Sequence, residues 1–105
     1  MIYLLNTPIL TEYGKYFFSK IGIAEVKAVL SEEEFTSAVG HQGTADLLSK
    51  LLSISVPMNR IAIRMEPADL AIVFRLKTHL PEGRVLSEAE LSQLDYEFGI
   101  LERIE

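Results

Sequence analysis

Cysteine is absent from this 105-residue chain, which removes disulfides, zinc–thiolate centres, iron–sulfur clusters and thiol nucleophiles from consideration. Only two histidines occur, and with the carboxylates they fall in no recognised metal-ligand spacing, so neither a metal nor a cofactor is expected. The six glycines form no dinucleotide-binding or Walker-type pattern. No apolar run reaches the ~18 residues that a membrane-spanning helix needs. The opening Met1-Ile2-Tyr3-Leu4-Leu5 meets Pro8 too soon, and with no basic leader, to read as a signal peptide. The expectation is a cytoplasmic protein that binds no membrane. Positive charge is also short: ten Lys and Arg stand against fifteen Asp and Glu, for a net charge of −5 and a pI near 5.0. That balance argues against a general duplex-DNA binder, which presents a broad basic surface.

What remains is 49% hydrophobic and free of linker-like tracts, repeats or low complexity. One domain over residues 1–105 is expected, burying roughly 60–68% of the surface its unfolded chain exposes. Function must then rest on His, carboxylates, Arg, Lys, hydroxyls or backbone.

The most informative stretch is Val39-Gly40-His41-Gln42-Gly43-Thr44. From Thr44 to Ser53, Ala45, Leu47, Leu48, Leu51 and Leu52 recur at helical intervals with Asp46, Ser49 and Lys50 between them. Thr44 or Gly43 is the expected N-cap. Gly40 and Gly43 are expected to supply backbone angles that a side chain resists. A helix start favours a phosphate or carboxylate, and His41 there can donate or accept a proton. The plainer alternative is a surface or capping histidine.

Elsewhere, Ile2 to Leu5 predicts a strand ended by Asn6-Thr7-Pro8, and Gly14 to Ile23 a second, aromatic strand. Ile23 to Leu30 predicts a helix, Phe35 to Val39 a short strand, and Tyr96 to Ile104 a last strand. Ser87-Glu88-Ala89-Glu90 is a capping box for a short helix. Arg60 to Glu66 alternates strictly, as does the second half of Leu70 to Lys77, and Glu66-Pro67-Ala68-Asp69 supplies turn chemistry, so the two segments predict a hairpin. In that hairpin Arg60 faces Arg75 on a side shared with Arg64 and Lys77. Like charges so placed repel unless an anion or an acidic partner sits between them; arginines pointing into water are the alternative. His79 continues the same parity, and Glu82 follows in a loop tightened by Pro81 and Gly83. The element order predicts an α+β fold, a mostly antiparallel central sheet with helices on one face.

Four segments in register, Asn6 after the first strand, Val39 to Ala45, Pro57-Met58-Asn59-Arg60, and Leu80-Pro81-Glu82-Gly83-Arg84-Val85-Leu86-Ser87, resemble the small viral anti-CRISPR ring nucleases and their bacterial and prophage relatives. The resemblance spans nearly the whole chain. It implies a homodimer that encloses cyclic tetra-adenylate and cuts it without metal into linear di-adenylates, silencing type III CRISPR signalling, in the host cytoplasm if the protein is viral. His41 then matches the catalytic general acid and Glu82 the site carboxylate. Arg60 matches a ligand-binding arginine, Asn6 a loop contact, and Gly43-Thr44 the phosphate cradle. His79 stands where the family has a phosphate-binding arginine, and histidine offers fewer donors. Arg75, or Arg84 beyond the loop, could restore charge but not a bidentate grip. A two-fold dimer presents each contact twice to a symmetric ring, so Arg60, Arg64, Arg75 and Lys77 together would set eight cations around four phosphates. The alternatives are a protein that sequesters the same ligand uncut, and a small dimeric interaction protein.

Overall fold

The computed structural model describes residues 1–6, 12–77, 93 and 95–105. In chain order they form strands β1 (Ile2–Leu5) and β2 (Tyr16–Ile21), helix α1 (Ile23–Glu32), strand β3 (Thr36–Ser37), helix α2 (Gln42–Leu52), and strands β4 (Leu70–Leu76) and β5 (Tyr96–Arg103). The apolar periods of the sequence account for these elements closely. The capping box at Ser87 lies outside the described residues.

The five strands make one mixed sheet in the order β2-β5-β4-β1-β3. β1 pairs in parallel with both β3 and β4, while β5 pairs antiparallel with both β4 and β2. β1, β2, β3 and β4 therefore all run the same way, and β5 alone opposes them. The antiparallel ladders are the longer ones, of six and seven rungs against two and four, but the expected mostly antiparallel sheet is half parallel by pairing. The cause lies in the connections. A helix follows β2 and leads into β3, and another follows β3 and precedes β4, and crossovers of that length bring strands back in parallel. Ile2, Leu4 and Leu5 are buried, as a strand flanked on both sides requires.

Both helices pack on one sheet face. Val26 and Leu30 of α1 and Ala45, Leu47, Leu48 and Leu52 of α2 form a core with Ile2, Leu4, Ile72, Phe74 and Phe98. The rings of Phe74, Phe98 and Tyr96 lie 5.3–5.9 Å apart in tilted and edge-on pairs, favourable quadrupole geometries. The opposite face carries a smaller cluster of Leu5, Met65, Ala71, Val73 and Leu101, with Tyr3, Tyr16, Ala38 and Ile63 packed against it.

The expected Arg60–Lys77 hairpin is not formed. Residues 54–69 contain no strand, and β4 lies between β1 and β5. The alternation of Ile61, Ile63 and Met65 instead serves an extended segment laid across the second sheet face, where Met65 is buried and Ile63 half-buried. A period of two reports which side of an extended chain is apolar, not which strand it joins. The turn at Glu66 to Asp69 does form, and it leads from that segment into β4 without pairing the two. The backbone N–H of Asp69 donates to the Glu66 carbonyl at 3.0 Å, the Asp69 carboxylate accepts from the Glu66 N–H at 2.9 Å, and Ala68 has φ 76°.

Candidate functional site

Because four strands run together, their carboxyl ends meet at one edge of the sheet, the usual place for a ligand crevice in open sheets with parallel strands. Asn6 follows β1 there, half-buried. β3 ends at Ser37, and Ala38 to Gly40 carry the chain to His41, the N-cap of α2.

The helix begins at Gln42, two residues earlier than Thr44 suggested. The His41 carbonyl accepts the first internal helical bond, from the Ala45 N–H at 3.0 Å. The N–H groups of Gln42, Gly43 and Thr44 thus have no acceptor within the helix. The His41 side chain makes no capping bond and is exposed. Neither Gly40 nor Gly43 has a positive φ, so the expected special backbone angles are absent. Space is what these glycines provide: a Cβ on Gly43 would meet nothing within 4 Å. An anion can approach the helix start directly.

The segment after α2 holds this loop in place. Ser37 Oγ donates to the Pro57 carbonyl at 2.7 Å and accepts from the Val39 N–H at 3.4 Å. Asn59 Nδ2 donates to the Ser37 carbonyl at 2.7 Å, and the Asn59 N–H donates to the Val39 carbonyl at 2.8 Å. Ala38 is tied to β1 by its N–H on the Leu4 carbonyl at 2.9 Å. Arg60 is carried along. Its side chain lies against Gly40, with Nε 3.6 Å from where a Cβ would stand. The structure therefore brings Asn6, His41, Gly43, Thr44 and Arg60 to one end of the molecule.

Arg75 does not face Arg60. Its cross-strand partner is Glu97, whose carboxylate it meets at 3.0 Å. Arg64 is likewise matched, with Glu12 at 3.5 Å. Lys77 also reaches Glu97, at 3.6 Å, so of the four cations expected around a ring three already have acidic partners in the monomer. Glu82, His79 and Arg84 lie outside the described residues. Sequence reasoning missed Asn59 as the clamp on the His41 loop and Glu97 as the partner of Arg75; β5 parity could have found Glu97 only with the strand order known.

A family model described as STIV B116-like matches residues 2–98. The chain belongs to this family. Among its relatives, uncharacterized protein 26 of Sulfolobus islandicus filamentous virus is 37% identical, over 97% of this chain and 91% of its own length. YddF of Bacillus subtilis is 35% identical over 99% of this chain and 98% of its own, and ORF117 of Acidianus two-tailed virus 33% identical over 100% and 95%. The solved structure of B116 from Sulfolobus turreted icosahedral virus superposes with a TM-score of 0.83, covering 97% of this chain and 98% of that one at 22% identity. That likeness establishes the shared mixed α+β fold. The viral and bacterial relatives agree with the range of sources that the sequence resemblance implied. No helix among the described residues is long and apolar enough to cross a membrane.

Proposed function

We infer that this protein is a metal-independent ring nuclease that binds cyclic tetra-adenylate between two copies of the chain and cleaves it to linear di-adenylates, ending type III CRISPR second-messenger signalling. The observation that carries the reading is the exposed His41 imidazole at the amino end of α2, beside the open Gly43 and with Arg60 lying on Gly40. An acid, free backbone donors and a cation converge there, as phosphodiester cleavage by an internal hydroxyl demands.

In the reaction a ribose 2′-oxygen attacks the adjacent phosphorus and gives its proton to solvent water, and the bond from phosphorus to the 5′-oxygen breaks. The products are a 2′,3′-cyclic phosphate and a 5′-hydroxyl. His41 in its protonated form supplies the proton taken up by the departing 5′-oxygen. The N–H groups of Gln42, Gly43 and Thr44 and the Arg60 guanidinium face the charge that builds on the phosphoryl oxygens. Asn6 contacts the ligand from the end of β1, and Glu82 serves as the site carboxylate that orients the ribose or a neighbouring side chain.

Chromatography of products after mixing the protein with cyclic tri-, tetra- and hexa-adenylate tests this. Cleavage of the tetra-adenylate should persist in EDTA, and His41→Ala should abolish it while retaining most ligand binding. Loss of cleavage in EDTA, or full activity in His41→Ala, overturns the mechanism. A second reading, a protein that sequesters the ligand uncut, draws support from the Arg75–Glu97 pair and from His79 in place of an arginine, both of which leave fewer cations for the transition state. Tight binding with no product selects it.

A further inference from the structure

On the sheet face that carries no helix among the described residues, we propose a second, separate subsite that takes a nucleoside monophosphate group, with phosphate held by Lys20, Arg75 and Lys77 and the base laid on Phe18. It goes beyond the reading of His41 and does not depend on it. Lys20 pairs across the ladder with Gly99, which pairs in turn with Val73, and two rungs further on Arg75 pairs with Glu97. Paired residues share a face, and so do residues two apart on a strand. Phe18, Lys20, Arg75, Lys77, Glu97 and Gly99 consequently all project to the same side. All but Lys77 line a cleft of about 220 Å³, together with Ser19 and Phe98, and Lys77 reaches its edge through Glu97.

The charge in this cleft is unbalanced. Three cations converge on the Glu97 carboxylate, with Arg75 at 3.0 Å on one oxygen and Lys77 at 3.6 Å and Lys20 at 3.8 Å on the other. With Asp95 opposite Lys77, three positive charges stand against two negative, so the cluster is cationic in a chain whose net charge is −5. Those cations stay half-exposed or more, whereas the Glu97 side chain is only 19% exposed. The heads are gathered at one point but still open to a dianion from solvent. A phosphate monoester can draw on all three heads at once.

The second half of the ligand is indicated by Phe18. Its ring lies over Gly99, so closely that a Cβ there would stand 2.5 Å from a ring carbon, and yet 46% of the residue remains exposed. A half-exposed aromatic two residues from the lysine, on a floor kept flat by glycine, is a stacking platform beside a phosphate site, and base stacking tolerates any nucleobase. Glu97 keeps the three cations assembled and competes with the incoming phosphate.

Amide spectra of the full-length labelled chain, recorded at low salt during addition of adenosine 5′-monophosphate, adenosine, or inorganic phosphate, test the assignment. The nucleotide should shift the amides of Phe18, Lys20, Glu97 and Gly99 saturably and at least about tenfold more tightly than either half alone, with the effect lost at high salt. Glu97→Gln should tighten binding about threefold by removing the competing charge, and Lys20→Ala, at an exposed position, should weaken it by about as much. His41→Ala should leave these shifts intact, so failure of the ring-nuclease reading leaves this result standing. Shifts confined to the His41 loop, no shifts at all, inorganic phosphate binding as tightly as the nucleotide, or an unchanged affinity in Phe18→Ala would each overturn the proposal.

Discussion

Asn59 grips the backbone of β3 and its extension at two points, through its side chain on the Ser37 carbonyl at 2.7 Å and through its N–H on the Val39 carbonyl at 2.8 Å. Twenty-two residues separate Asn59 from Ser37, and the bond between them fixes Arg60 relative to His41. Asn59→Ala should lower the unfolding free energy by about 1 kcal/mol, the net worth of one half-buried hydrogen bond. Ser37→Ala, which deletes the bond to Pro57, should cost about as much again. Both changes loosen the same segment, so urea unfolding of the double variant should show less than the summed loss. On the ring-nuclease reading, turnover of cyclic tetra-adenylate should fall further than its binding, because Asn59 holds the His41 loop and Arg60 through the backbone.

Gly43 stands in open space at the second residue of α2. Gly43→Ala meets no atom and incurs no backbone strain, and alanine is the better helix former by up to about 1 kcal/mol. The melting temperature should hold or rise. Ligand binding should nevertheless drop several-fold, since the added methyl stands where a phosphate approaches the free N–H groups. A variant that gains stability and keeps full affinity would place the phosphate elsewhere.

The parts of the fold legible in the sequence are those set by local periodicity. The leucine spacing of α2 and the apolar run of β1 each have one structural reading once their lengths are known. The Arg60–Glu66 alternation has two, and chose the less obvious. An extended segment crossing a sheet face needs the same period as a strand within it, and only the burial of Met65 against Leu5 and Val73 separates them. The pairing of Arg75 with Arg60 failed for that reason, since β4 has β1 and β5 as neighbours and Glu97 is drawn opposite Arg75. His41 was legible because glycines flank it and a helix follows. The groups that hold its loop, Ser37 and Asn59, reach it from distant positions that no local pattern marks.

Gly99 and Phe18 form a second steric pair. A methyl at residue 99 would lie 2.5 and 2.8 Å from two ring carbons of Phe18, and 3.4 Å from the Ser19 carbonyl. Gly99→Ala should therefore destabilise by about 1–3 kcal/mol through overpacking. Because the obstructing atoms belong to a side chain at the sheet's edge strand, Phe18→Ala should recover most of that loss. Thermal unfolding of the two single variants and the double variant gives the coupling directly.

Ala68 occupies a left-handed conformation, with φ 76°, that glycine adopts freely and alanine does not. Its N–H donates to the Arg103 carbonyl at 2.8 Å, and the Glu66–Asp69 bonds close the turn on either side. The surrounding bonds hold the strained residue in place. Ala68→Gly should raise stability by up to about 1 kcal/mol, net of the greater entropy it gives the unfolded chain. Ala68→Val, which adds β-branching where φ is positive, should lower it. Urea midpoints of the pair bracket the effect.

Tyr3 ties the second sheet face to alkaline pH. Burial, and secondarily the negative charges of Asp69 and Glu66, push its phenol above the ordinary value of 10.0. The sign follows from proton linkage. Below pH 10 the phenol is protonated in both states and contributes no slope. As pH rises through 10 the unfolded chain releases the proton first, the native state holds more protons than the unfolded one, and stability falls until the folded-state value is passed. Tyr3→Phe removes that proton while keeping the ring against Ala71 and its neighbours. The difference in urea midpoint between the native chain and Tyr3→Phe should thus be constant up to about pH 9 and then shift in favour of the phenylalanine variant. Lysine titration affects both proteins alike and cancels in that difference, so a difference that stays flat through pH 11 would mean that the phenol ionises as freely in the fold as in the unfolded chain.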